Sequence, residues 1–516
     1  MKIVNLLHFY QPHNQQKDIL DRIVHESYLP IINMMQEVPT AKATFNISGV
    51  LLQLLEYNNY SDVLTGLKHL LEKEQIELTG TAMYHAFLPL LPINEIKRQV
   101  SLNDEVSTRL FGSLYHPKGF FTPELAINNT VLDVIYQLGY EWIAAPQVSF
   151  GPNKPGTSQT YFSDEFGINV IFRNKRVSSL ILSAASRSAE DLWKETEDLH
   201  STESYWFTVM DAETFGHHRV GHDALLKDIF TCKHFEPLLA SELFSLGMKR
   251  SPVKLRPSTW TNEEQDFWLD KEQTQITEAR SFILWKDPEN PIHKLQWDFL
   301  HFVLTRLNTT KDENNESWIK ARNLMDKAIS SDQFWWASAK PWWSLEMVEQ
   351  GAFMLLQVIK TLNPEDTKSV YEADSFYRKI LDQAFDWQRS GYIRIRHLEN
   401  SSTFMKEPFN MRAPAEWYNQ IVLEFEDEMM KAANNRDFEK AVKWRDALVK
   451  LEKGTDIYDV LHVVDELWSA RNIPSVKPFL EHEWNEFSDY ARGKFRGVVS
   501  KEDFEKWKKD RKPPLE

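Results

Sequence analysis

Trp206-Phe207-Thr208-Val209-Met210-Asp211-Ala212-Glu213-Thr214-Phe215-Gly216-His217-His218 is an apolar, β-prone run that ends abruptly on acids and histidines. A short run of this kind, closed by a turn-forming glycine, reads as a buried strand with polar side chains at its end. Working outward, the pattern recurs at Lys2–Phe9, Ala43–Ser48, Ile76–Gly80, Gly119–Glu124, Trp142–Pro146 and Asn169–Arg173. Segments of helical period lie between, for example Val50–Tyr57, Val63–Glu74 and Asn94–Leu110. Strands alternating with helices imply an α/β domain with a mostly parallel sheet. Seven strands with reactive residue types at their C-terminal ends favour a barrel over an open sheet, because barrel chemistry sits on the loops at that end.

Past residue 265 the strand signals fade, and Lys294–Leu307, Glu316–Ser330, Leu345–Thr361 and Ala373–Arg389 read as helices. The organisation expected is a catalytic barrel over 1–265 and an α-helical domain over 266–420 that completes the cleft. A helical hairpin over 421–453 and a helical extension with a charged tail over 454–516 follow. The chain has 60 Lys+Arg against 75 Asp+Glu, a formal charge of −15, which argues against nucleic acid or an anionic membrane as partner. A single cysteine, Cys232, excludes an intrachain disulfide and a CxxC-type zinc site. The N-terminus turns polar too soon for a signal peptide, and no apolar segment is long enough to span a bilayer, so a cytoplasmic protein is expected. Aromatic residues make up 13% of the chain; they can fill a core, stack on sugars or stack on bases, and composition does not choose.

Four clusters offer chemistry. His8-Phe9-Tyr10-Gln11-Pro12-His13 leaves a strand with ring donors and an amide, or satisfies local backbone groups. In Glu77–Pro92, Tyr84 and His85 can hydrogen-bond a ligand while the Leu/Pro run builds a pocket wall, or the loop simply packs on the barrel rim. Glu124 in Gly119-Phe120-Phe121-Thr122-Pro123-Glu124 is a carboxylate just past an apolar strand, where burial is costly without partners or a task; its bland reading is a helix N-terminal acid. Asp211 and Glu213 end the opening stretch. Metal ligation by the adjacent His217 and His218 fits poorly, since neighbours rarely aim at one ion and the HExxH spacing is missing. No metal or cofactor is expected. A carboxylate pair acting on a sugar fits better: glycoside hydrolysis needs two carboxyl groups, and Glu124 and Asp211 end two strands of one barrel.

The set resembles glycoside hydrolase family 57, retaining enzymes on α-glucans built on an incomplete (β/α)7 TIM-like barrel followed by helices. His8-Phe9-Tyr10-Gln11-Pro12 is similar to the family's opening motif, with Tyr10 where a second histidine is usual. Gly119–Glu124 resembles the motif whose glutamate is the nucleophile, and Asp211–Gly216 the motif whose aspartate is the general acid/base. The resemblance implies double displacement by Glu124 and Asp211, with carboxyl groups about 5–5.5 Å apart. It implies substrate contacts from His8, Tyr10, Gln11, His85 and Glu213, with Trp260 and Trp285 as stacking walls. Pro257–Trp260, Leu284–Asp287 and His293–Trp297 are similar to the family's last barrel region, and Gln333–Ala339 with 341–343 to its helical-domain signature. Trp335, Trp336, Trp342 and Trp343 are assigned to core packing. The partner expected is an α-1,4-glucan or maltooligosaccharide, processed by amylase, 4-α-glucanotransferase or branching chemistry.

Leu423–Lys453 reads as helix, turn at Asn434-Asn435, and helix again, with Asp437 as N-cap. It resembles the UVR motif, a hairpin that mediates protein–protein contact in excision-repair subunits and Clp-protease regulators. A short hairpin has little core of its own and docks on something, a partner or a second copy. Seven Lys/Arg against eight Asp/Glu disfavour DNA. Two alternatives follow: a docking protein of a glucan or Clp-type complex, or a metal-dependent polysaccharide deacetylase, whose His/Asp triad cannot be assembled from these motifs.

Overall fold

The protein, a computed structural model, is described at residues 1–151, 153–182, 186, 188–201, 203–219, 221–261, 280–340, 342–400 and 415–452. The charged tail and the extension expected over 454–516 lie outside the described residues, as does the boundary drawn at 265. The chain forms two compact units. One comprises residues 1–178, 198–212 and 230–400, the other 179–197, 213–229 and 401–516.

Among the described residues of the first unit, ten strands fold: β1 (Lys2–Phe9), β2 (Ala43–Ile47), β3 (Ile76–Leu78), β4 (Gly119–Phe120), β5 (Trp142–Ala145), β6 (Gln159–Ser163), β7 (Asn169–Phe172), β8 (Tyr205–Asp211), β9 (Glu236–Leu238) and β10 (Lys249–Val253). The seven strands expected from the sequence are β1–β5, β7 and β8. They form a curled parallel array, β8-β1-β2-β3 and β4-β5-β7, joined by a parallel bridge between Gly80 and Phe120. Between β7 and β8 the contact is a single backbone bond, Asn174 N–H to the Phe207 carbonyl (2.7 Å). The sequence reading missed β6, β9 and β10. They are short or carry exposed positions, and β6 runs antiparallel to β7 outside the β/α alternation.

The strands form because their residues are buried on both faces, as in a helix-covered parallel sheet. In β1, seven of the eight residues are buried, Asn5 among them. Asn5 is tolerated there because its in-register neighbour on β8, Thr208, donates to its Oδ1 (2.7 Å). Gly119 lies opposite Trp142, and a Cβ on it would sit 2.0 Å from the indole, so only glycine lets that fully buried ring cross β4.

Alternation along the strands explains where the chemistry ends up. Val4 and Leu6 of β1, Ile171 of β7, and Tyr205, Phe207 and Val209 of β8 belong to one buried apolar cluster. Side chains two apart share a face, so His8, Arg173 and Asp211 continue that cluster at the C-terminal ends of the strands. Polar groups thus cap an apolar interior.

The helices Pro291–Thr309, Glu316–Ala328, Leu345–Leu362 and Thr367–Ser390 follow the sequence reading closely. Asn290, Asn315, Ser344 and Asp366 cap their first turns through side-chain oxygens, and Gly391 ends the last in the left-handed region. They pack in the same compact unit as the strands. Arg322 pairs with Glu95 (2.8 Å) and Asp326 (2.9 Å), and Arg98 with Asp326 (2.6 Å), a buried network between Ile93–Phe111 and Glu316–Ala328. It anchors the helix that leads into Ser330-Ser331-Asp332.

In the second unit, the helices Ala415–Asn434 and Phe438–Glu452 form a hairpin. The Phe425 and Trp444 rings lie 5.1 Å apart, both buried, and Tyr418 donates to the Leu451 carbonyl (3.3 Å). Asp437 caps the second helix by accepting from Lys440 N–H (3.1 Å), and Arg436 takes φ +60 in the turn.

Candidate active site

At the strand ends, His8 lies in register with Asn46 on one side and Asp211 on the other. Asn46 Nδ2 donates to Thr79, so its Oδ1 accepts from His8 Nδ1 (2.6 Å). That assigns the proton of His8 to Nδ1 and leaves Nε2 an acceptor, 3.2 Å from Nε2 of His85. His85 is therefore the donor there, and its Nδ1 accepts from Ser331 Oγ (3.0 Å). Burial pushes His8 down to about 4, against the Asn46 bond; burial and the neighbouring His8 hold His85 well below the usual imidazole range. Both imidazoles are neutral at pH 7, locked in opposite tautomers by one relay of hydrogen bonds.

Tyr10 lies over this relay, its ring 3.9 Å from that of His85, while His8 stacks on Phe121 at 4.8 Å. Its hydroxyl donates to Asp332 Oδ2 at 2.5 Å, and Ser330 donates to the same oxygen at 3.2 Å. Burial raises the Asp332 carboxyl and these two bonds oppose the rise. The position where a histidine was anticipated thus serves a carboxylate that the motif reading missed. The signal available was Asp332 itself, two residues before the aromatic run Phe334-Trp335-Trp336.

Glu124 follows β4 in a 3₁₀ turn with φ +60 and ψ 17, and His85 has φ +53. Left-handed backbone is uncommon for such residues and persists only where the surroundings enforce it. Here the Glu124 carbonyl accepts from Thr259 Oγ1 (2.5 Å) and from Trp260 N–H (3.3 Å), and its carboxylate Oε2 accepts from Trp260 Nε1 (2.8 Å). Trp260, anticipated as a stacking wall, holds the carboxylate instead and meets His8 and Phe121 edge-on. Burial raises Glu124 to about 8, opposed by the Trp260 bond and reinforced by the charges of Asp211 and Asp332. Burial also raises Asp211, to about 6, with Arg173 holding it down. The pair therefore shares one proton around pH 7.

The remaining anticipated residues have their own settings. Gln11 is buried and directs its amide to Tyr28 (3.3 Å), while accepting from Gln15 (2.7 Å). Glu213 is buried in the turn Ala212–Thr214, at the start of a segment of the second unit, where its carbonyl accepts from His218 N–H (2.7 Å). Trp285 corrects the sequence reading: it is 0% exposed, stacked on Phe87 at 4.5 Å, and leaves no face for a sugar. His293, also buried, accepts from Asp287 N–H and meets the Phe334 carbonyl, so this stretch is core. Trp342 corrects it in the other direction. It is 40% exposed, with Trp335 stacked beneath it at 4.5 Å. Arg173 was also missed, although it ends a recognised strand as Asp211 does.

Among the described residues, no group of three or more His, Cys, Asp or Glu is placed to hold a metal ion. No described helix is long and apolar enough to cross a membrane.

Residues 3–239 match the family model of glycosyl hydrolase family 57. An α-amylase of Pyrococcus abyssi is 24% identical over 164 residues, 31% of this chain and 24% of that protein. The 4-α-glucanotransferase of Thermococcus litoralis is 23% identical over 365 residues, 64% of this chain and 53% of that protein. The chain thus spans about a quarter of the one and half of the other. The crystal structure of that glucanotransferase superposes with a TM-score of 0.57 at 18% identity, covering 70% of this chain and 60% of that one. A family 57 type branching enzyme from Pyrococcus horikoshii gives 0.55 at 13% identity, covering 73% and 94%. At these identities the structural likeness speaks to the fold.

Proposed function

We propose that this protein is a retaining glycoside hydrolase or transglycosidase of family 57 type acting on α-1,4-glucans. The observation that carries the reading is the coupled carboxyl pair, Glu124 and Asp211, raised in pKa at the C-terminal ends of two strands of one curled sheet. The family match over residues 3–239 covers both residues.

In the proposed cycle, the Glu124 carboxylate attacks the anomeric carbon while Asp211 gives its proton to the departing glycosidic oxygen. The Asp211 carboxylate then removes a proton from water or a sugar hydroxyl. That oxygen attacks the same carbon and releases Glu124, with net retention. Before substrate binds, the shared proton favours Glu124, at about 8, over Asp211, at about 6. Productive binding has to reverse this order. Positive charge developing on the anomeric carbon beside Glu124 favours its carboxylate and so moves the proton to Asp211. One further group is suited to sugar hydroxyls, Asp332, held by Tyr10; the neutral His8 and His85 spend their ring nitrogens on the relay.

Incubation with maltooligosaccharides and chromatography of the products tests the proposal. Shorter sugars alone indicate hydrolysis, and a ladder of shorter and longer chains indicates transfer. Unchanged α-glucans would overturn it. A second role is proposed for the UVR-like hairpin, a docking element for a protein partner or a second copy. Leu423, Met430, Phe438 and Val442 are exposed on its two helices. Sedimentation of the protein against a Leu423→Glu, Phe438→Glu variant tests the self-association arm.

A further inference from the structure

Arg173 has no part in the catalytic scheme just given, yet it is built into the same cluster. It ends β7, and its backbone N–H donates to the Ala145 carbonyl (2.8 Å). Its Nε donates to the carbonyl of Val209 (2.9 Å), two residues before Asp211 on β8. Its Cζ lies 5.9 Å from the Trp260 ring, whose Nε1 holds Glu124. The side chain thus touches the supports of both carboxyl groups.

Burial of this guanidinium is expensive. Arg173 is 8% exposed, and burial lowers its pKa to about 10, against the charge of Asp211. An apolar residue of similar volume would fill the space without that cost. Its two Nη groups donate to no described residue, and it forms no close ion pair with a described carboxylate, so the cation is not consumed by a structural bridge. Its compensation comes from Asp211, whose carboxyl it lowers in return. The other groups around the pair are Glu124 after β4, Asp332 on the helical side with the Tyr10 phenol, and the neutral His8 and His85. Arg173 is the cation that acts on Asp211 within this set.

We propose that Arg173 is a positioning residue that commits Asp211 to the base half of the reaction. Its fixed cation keeps the Asp211 carboxylate free to deprotonate the incoming water or sugar hydroxyl. This rests on the retaining mechanism proposed above. Once Glu124 is esterified to the sugar its charge is gone, and Arg173 remains the charge that acts on Asp211. Without the guanidinium, Asp211, having given its proton to the departing sugar, takes up another from solvent and holds it at neutral pH. Departure of the first sugar still proceeds, but release of the second from Glu124 stalls.

The test compares the full-length protein with Arg173→Met, which removes the charge, and Arg173→Lys, which keeps it. Carbon-13 NMR of aspartate-labelled protein follows the Asp211 carboxyl, assigned by its loss in Asp211→Asn. In Arg173→Met the Asp211 titration should move up by about 1 pH unit or more, while Arg173→Lys stays near the parent. Arg173→Gln provides a second neutral variant if Arg173→Met does not fold. A parent-like titration in the neutral variant overturns the proposal, as does an equal shift in Arg173→Lys, which would point to packing rather than charge. Mass spectrometry of protein quenched during maltooligosaccharide turnover should also show more covalent glycosyl adduct in the neutral variant, and no increase there likewise refutes it. The titration requires no turnover. A measurable Arg173 effect on Asp211 in a protein inert toward α-glucans would therefore locate the failure in the proposed activity, and not in the electrostatic coupling.

Discussion

Replacing Glu124 by Gln should stabilise the protein in alkaline solution while abolishing its chemistry. The carboxyl is raised from 4.5 to about 8, mainly by burial, so the folded state binds its proton more tightly than the unfolded chain does. Between those pH values the native state carries more protons, and stability falls as pH rises. The gap corresponds to a ceiling of about 5 kcal/mol, at roughly 1.4 kcal/mol per pH unit. Glu124 is half-buried, and solvent at its open side trims this to about 2–5 kcal/mol. Gln keeps the shape, stays neutral, and can still accept from Trp260 Nε1, so it mimics the protonated acid. Urea denaturation of parent and Glu124→Gln from pH 4 to pH 9 provides the assay. The variant's advantage should be near zero below pH 4.5, grow through the neutral range and level off above pH 8. A stability difference that does not change with pH would refute the claim that Glu124 is ionised at a cost in this site.

Activity should respond more sharply. Glu124→Gln and Asp211→Asn are each expected to lower kcat/KM on maltooligosaccharides by roughly 10⁴-fold or more, since each removes a group that makes or breaks a bond; near-parental turnover in either would remove that residue from the mechanism. Tyr10→Phe leaves the Asp332 carboxylate short of a donor and should cost about 1–3 kcal/mol at neutral pH. The loss should shrink in acid, where protonated Asp332 no longer needs that bond, and denaturation at two pH values checks it. Arg322→Met strands the buried Glu95 and leaves Asp326 to Arg98 alone, and should cost about 3–5 kcal/mol, read as a fall in denaturation midpoint. Gly119→Ala should destabilise by about 1–3 kcal/mol or more, because its methyl would enter the Trp142 ring; an unchanged melting temperature would contradict the close approach.

Much of the site was legible because local pattern and local chemistry coincide there. A strand that is apolar to its last residue and then acidic marks its own end, and Asp211 and Glu124 were both read from that signal. His8 was legible for the same reason. Tryptophans were the least legible residues. An indole suits a core, a sugar or a carboxylate equally well, and Trp285, Trp342 and Trp260 took one of each setting: sealed core, open surface and hydrogen-bond donor to Glu124. Nothing near them in sequence distinguishes these fates, since Glu124, the hydrogen-bond partner of the Trp260 indole, lies 136 positions away.

The sequence by itself determined the periodic elements, the seven strand segments alternating with helices and the identity of two strand-end acids. These depend on residues within one strand or one helical turn, where apolar spacing and turn chemistry act directly. Only the tertiary structure decided which polar groups meet. Tyr10 reaches Asp332 across 322 positions, and His85 reaches Ser331 across 246. Arg173 stands among the supports of both carboxyls because curling of the sheet brings β7 beside β8. The protonation of Glu124 and Asp211 follows from that assembly. A carboxyl's pKa is set by the water it loses and the charges it meets, and both are properties of the folded surroundings rather than of the residue.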